Sequence, residues 1–315
     1  MAEAGKFPQV SHEEASGEIA AVYDDMRRTL RLPWVAFGCR VFATFPSFLP
    51  LAWRRSADSF GTLYFEQAAD ELRERAVLGT GPSTDLQARL RAIGWEEEAI
   101  ENLRQVLKAF NYGNPKYLLL LTAWSERLQM RAAGGSHLPD ELCAPVDRGL
   151  PEGMTPLPSL IDPDAAAEEV QSLLKSIADL HSHLGPASEF LVLARWPDVL
   201  RVITEEVLPP VVRTERYDAK ASELLGRAQE LVRGLPGPVG VERTELVSTC
   251  TPAEIAGLTG LLFLFQRFCT DILMSTIHIT ECLDGSEAAT RSDFSASTIA
   301  QVDPSTSRPQ DGSGR

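Results

Sequence analysis

FATFPSFL (42–49) and LARWPDVL (193–200) are one motif written twice, 151 residues apart. Each places an aromatic-proline step ahead of a closing leucine. A second pair follows in the same order: YFEQAADELRERA (64–76) against RYDAKASELLGRA (216–228), now 152 residues apart. Two ordered matches at nearly one spacing indicate an internal duplication. A duplicated unit buries its apolar face against its own copy about a pseudo-twofold axis, as two subunits do in a C2 dimer. A pocket is then expected between the halves.

The segments around the repeats carry helical periodicity. Glu18–Leu30 lines up Ile19, Val22, Tyr23, Met26 and Leu30 on one stripe, and 65–77 is rich in strong helix formers. Glu96–Phe110 and Pro115–Met130 form two further patterns, with Pro115 at a favourable first helical position. Beyond them come 165–180, 217–233 and a long apolar helix from Pro252 to about Ile279. The fold class is therefore all-α: two fused helical repeats forming a pseudo-twofold unit around a central cleft. The expected organisation is a flexible N-terminus (1–14), repeat 1 (15–133), a Gly/Pro-rich linker (134–160), repeat 2 (161–284) and a disordered tail (285–315).

Composition narrows the function. The 315 residues carry a formal net charge of -14 and no concentrated basic stretch, which argues against a nucleic-acid partner. The most apolar run, Ile255–Phe265, is too short to span a bilayer, so no membrane role is expected. No signal-peptide pattern opens the chain. Five cysteines without CxxC spacing fit reduced thiols in a cytoplasmic protein without structural zinc. His181 and His183 lack a third ligand pattern, and two helical residues that close point their rings apart, so no metal is expected. The absence of a GxSxG elbow, a P-loop or a strand-borne GxGxxG leaves no cofactor to expect.

Extending the repeat backwards aligns Trp34-Val35-Ala36-Phe37-Gly38 with Gly185-Pro186-Ala187-Ser188-Glu189. One half offers aromatic bulk where the other offers a hydroxyl and a carboxylate. A shared cleft would then have one apolar and one polar wall. Glu189, set among Phe190, Leu191, Val192 and Leu193, is a candidate general base, because an apolar setting raises a carboxyl's pKa. It reads equally as an acid in a helix first turn, with Ser188 as cap. Asn114 could hold a water or simply cap a helix starting at Pro115. Trp34 and Phe37 could wall a pocket or pack a core.

LPWVAFGCRVFATFPSFLPLAW (32–53), FNYGNPKYLLL (110–120) and SEFLVLARWPDVL (188–200) resemble the group I 2-haloacid dehalogenases, the DehI-like "halocarboxylic acid dehydrogenase" family. The resemblance spans about 15–283. It implies two fused helical repeats around a central site, a homodimeric assembly, no cofactor, and a small carboxylic-acid substrate. It further implies that water displaces halide at C2 directly, with inversion, activated by an aspartate. Glu189 stands at that aspartate's position, after the matching Ser188. Asn114 matches the asparagine that helps hold the water, and Trp34 and Phe37 match the apolar wall.

The glutamate is a departure, since one extra methylene moves the carboxylate by roughly an ångström, enough to cost about 10²-fold in a positioned reaction. The tyrosine and arginine that follow the aspartate in the family are also replaced, by Phe190 and Leu191. Three functions stay open on these residues: the dehalogenase itself, a diverged enzyme acting on another small electrophile or acid, and a non-catalytic binding protein.

Overall fold

The computed structural model describes residues 7–79, 81, 84–294 and 296. Among them every regular element is helical, and the only β pairings are the isolated bridges Thr62 to Pro145 and Gly134 to Pro238. The first half runs α1 (Gly17–Leu30), α2 (Phe37–Phe42), α3 (Leu49–Arg54), α4 (Ala57–Phe60), α5 (Leu63–Arg75), α6 (Leu86–Ala92) and α7 (Glu97–Leu128). A connection holding the short α8 (Asp140–Cys143) leads to the second half. That half runs α9 (Glu168–His181), α10 (Ser188–Leu193), α11 (Pro197–Val202), α12 (Glu215–Arg233), α13 (Arg243–Leu246) and α14 (Pro252–Asp284), and α15 (Ser286–Thr290) follows.

The duplication is visible element by element. α1 and α9 are both 14 residues long, start 151 residues apart, and end on left-handed residues, Arg31 and Ser182. α2 and α10 are both six residues long at the same offset. Thr62 and Thr214, 152 residues apart, each cap a helix by accepting a hydrogen bond from the amide three residues on. α7 (32 residues) and α14 (33 residues), starting 155 residues apart, pack against each other more extensively than any other pair. Hydrogen bonds pair rising numbers on one with falling numbers on the other, so they cross antiparallel.

Four expectations need correction. Pro115 does not start a helix, because α7 runs straight through it. Every residue from Ala109 to Glu126 is buried, and that packing offsets the roughly 3 kcal/mol cost of an interior proline. Asn114 is accordingly mid-helix rather than a cap. Residues 7–14 are not loose: Phe7 stacks edge-on against Phe37 and Phe265, and the Val10 amide donates to the Arg40 carbonyl.

The segment after Gly285 is ordered as far as it is described. It forms α15, Arg73 donates to the Thr290 carbonyl, and Phe294 buries against Tyr112. The rest of the expected tail lies outside the described residues. Finally, α14 is longer than the apolar run Ile255–Phe265 and is long and apolar enough to cross a membrane. In this fold its second half is core, buried at every residue from Thr270 to Leu283 with Asp271, His278 and Glu281 among them, while Phe263 and Leu264 in the first half are exposed.

Candidate active site

Where α7 crosses α14, the N-terminal turns of α2 and α10 close over the crossing and leave a cavity of about 50 Å³. That volume admits a few waters or one small molecule. All five residues singled out from sequence line it: Glu189 and Ser188 from α10, Asn114 from α7, Trp34 from the turn before α2, and Phe37 at its first position. The aligned segments 34–38 and 185–189 do face one cleft, one of them apolar and the other polar.

Glu189 is the second residue of α10, so it does stand in a helix first turn, but the capping position is held by Ala187 and not by Ser188. Glu189 is also 8% exposed, inside the cavity. Ser188 is the first helical residue and makes no capping bond, which leaves its hydroxyl free of that structural task. Burial pushes the Glu189 carboxyl up to about 7. Its own backbone amide, the Asn114 side-chain amide and, at longer range, Arg40 of α2 pull the other way and limit the rise. The result is a carboxylate that is ionised just above neutrality and poor in solvation, as a general base requires.

Opposite stands the aromatic wall. Trp34 meets Phe110 edge-on at 5.6 Å between ring centroids, and Phe37 meets Phe265 at 5.8 Å. Tyr117 donates its hydroxyl to the Trp34 carbonyl at 2.8 Å and fixes that turn. Gly113 makes room for the indole, since a Cβ there would lie 2.6 Å from Trp34. Through Phe37, Phe265 and Phe268 the cavity adjoins a wider opening lined by His183, Arg213 and Arg267.

Tyr117, Leu121, Phe265, Phe268, Cys269 and Ile272 also line the cavity and were not singled out from the sequence. Their signal was a helical stripe: 114, 117 and 121 on α7, and 265, 268 or 269, and 272 on α14, separated by three or four residues. The histidines differ from expectation as well. Ser182 takes a left-handed conformation between them, so their rings lie 5.2 Å apart. His181 bonds Ile177 and Ser275, while His183 pairs with Asp271 and stacks on Phe268. No group of three metal-ligating residues occurs among the described residues.

The model of the family described as "Halocarboxylic acid dehydrogenase DehI" matches residues 33–185. The chain is 61% identical to a configuration-inverting 2-haloacid dehalogenase of Alcaligenes xylosoxydans xylosoxydans, over 91% of this chain and 97% of that one. It is 42% identical to a configuration-inverting 2-haloacid dehalogenase of Pseudomonas sp. (strain 113), over 91% and 94%. A crystal structure of a D-2-haloacid dehalogenase mutant superposes with a TM-score of 0.82 at 27% identity, covering 92% of this chain and 97% of that one. The chain belongs to the DehI family of 2-haloacid dehalogenases.

Proposed function

We propose that this enzyme hydrolyses short 2-haloalkanoic acids by direct attack of a water molecule that Glu189 deprotonates. Water oxygen bonds to C2 on the face opposite the halogen, and the carbon–halogen bond breaks with its electron pair leaving on the halide. One water proton passes to Glu189 and then to solvent, giving a 2-hydroxy acid of inverted configuration. The relatives' names supply the substrate class and the inversion. The observation that carries the reading is the buried Glu189, sharing a small cavity with Asn114 and an aromatic wall.

Each residue then has a task. Asn114 orients the water beside Glu189. Trp34 and Phe37 bound the departing halogen, which the electropositive ring edges accommodate. The Ser188 hydroxyl, on the polar wall, is a donor for the substrate carboxylate. The small cavity favours acids of two or three carbons. All five cysteines are unpaired, in keeping with the reducing cytoplasm.

The test is halide release from both enantiomers of 2-chloropropionate and 2-bromopropionate, with Glu189→Gln and Glu189→Asp run alongside. Release by the wild type that Glu189→Gln abolishes is the expected outcome. Release by Glu189→Asp but not by the wild type would show that glutamate does not serve as the base here.

A further inference from the structure

Three side-chain amide-to-threonine hydrogen bonds run along the crossing of α7 and α14. Asn111 Nδ2 donates to Thr280 Oγ1 at 2.7 Å, Asn114 Nδ2 to Thr276 Oγ1 at 3.4 Å, and Gln266 Nε2 to Thr122 Oγ1 at 3.1 Å. The outer two share equivalent donors, for Asn111 and Gln266 are 155 residues apart, the same offset as the helix starts, although their acceptors differ: Thr280 corresponds to Ser125 and Thr122 to Ile277.

The middle one has no counterpart. The equivalents of Asn114 and Thr276 are Cys269 and Leu121, which cannot form an amide-to-hydroxyl bond. This unpaired rung is also the one that reaches the cavity and Glu189.

Thr276 is fully buried and its hydroxyl proton is already committed, donated to the Leu273 carbonyl at 3.2 Å. Its oxygen can therefore only accept. A flipped Asn114 amide would set two acceptors against each other with no hydrogen between them. The NH2 end is held toward Thr276, which leaves its second N–H and Oδ1 to the cavity that Glu189 also lines, where they can meet the carboxylate and a water.

We propose that Thr276 is a positioning residue for dehalogenation, fixing which end of the Asn114 amide faces Glu189 and the attacking water. This rests on the function proposed above. Thr276 does not line the cavity, so it acts through Asn114 alone. Besides Asn114, the groups that face Glu189 are Arg40 from α2 and the Cys269 thiol from α14, and neither is altered by a change at Thr276.

The experiment compares Thr276→Val, which keeps the shape and removes the acceptor, with Thr276→Ser, which keeps the hydroxyl. Thr276→Val is expected to lower kcat about 10–100-fold with KM within about threefold, and to move the acid limb of kcat/KM to higher pH. Thr276→Ser is expected to stay within about threefold of the wild type. Wild-type kcat and pH profile in Thr276→Val overturns the proposal, as does a serine variant as impaired as the valine one. The Glu189 carboxyl is also titrated by its 13C chemical shift, which needs no turnover. A higher midpoint in Thr276→Val supports the proposal and an unchanged one overturns it, even were the wild type to release no halide. Such silence would count against the dehalogenase reading instead.

Discussion

Gly38 and Glu189 occupy the same place in the two halves, the second residue of equivalent six-residue helices. One has no side chain, and a Cβ at Gly38 would press on the Phe265 ring at 3.2 Å. The other carries the buried carboxylate. The same opposition recurs around the cavity. Trp34 packs over Gly113, while their counterparts at the repeat offsets are Gly185 and Phe268. Even the carbonyls that end α1 and α9 are both bonded by cations from different places, Leu30 by Lys116 and His181 by Arg213. Duplication supplied a scaffold with a central hollow, and divergence made one wall polar and the other aromatic. On the proposed function, catalysis depends on this loss of symmetry.

The largest expected effect comes from removing the polar member. Glu189→Gln should lower halide release about 10³-fold or more while leaving far-UV circular dichroism unchanged, within the range for loss of a general base. An equal loss on truncating the Gly38 side of the cleft, with Glu189 intact, would place the chemistry in the wrong half.

The same substitution is expected to stabilise the protein, and the sign depends on pH. Glu189 has a folded pKa of about 7, above its usual 4.5, so the fold binds its proton more tightly than the unfolded chain does. Its contribution is intact below about pH 4.5 and is lost as pH rises through about 7. Urea titrations should therefore show Glu189→Gln equal to the wild type near pH 4 and more stable by about 3 kcal/mol at pH 8. Equal stability at pH 8 would mean that burial does not strain the carboxylate.

Shape complementarity gives a smaller contrast. Gly113→Ala collides with Trp34, whereas a Cβ at Gly185 meets nothing within 4 Å. The first change should cost about 1–3 kcal/mol and lower activity, and the second should fall within about 0.5 kcal/mol of the wild type. Comparable melting temperatures for the two variants would undo the claim that the halves pack their walls differently. The smallest effect is a shape rather than a loss. The kcat/KM profile should rise with pH around a midpoint near 7, set by the Glu189 carboxyl, and then level off.

Much of this was legible in the sequence because the long helices carry clear periodicity and the repeat gave their order. The short helices α2 and α10 were visible only through the alignment of their flanks, which is also what paired Gly38 with Glu189. Pro115 misled because proline's local preference favours a helix start, while burial on all sides of 109–126 is a tertiary effect that no local signal carries. Phe265, Phe268 and Ile272 were hidden for a related reason. They sit in or beside an apolar stretch that reads as undifferentiated core until α7 is laid across it. Phe294 likewise looked like part of a polar tail, although its ring packs on Tyr112 beside the Arg73 bond to Thr290 and the Lys108–Asp293 ion pair, contacts between distant residues that no local signal carries.

The most direct test is one turnover in H2 18O, with enzyme in excess over 2-chloropropionate and the lactate analysed by mass spectrometry. Direct attack by the Glu189-activated water puts the label into the lactate formed in that first turnover and leaves the protein unlabelled. Unlabelled lactate, with the label in the Glu189 carboxyl instead, would mean that the carboxylate itself attacks C2 and that water only cleaves the resulting ester.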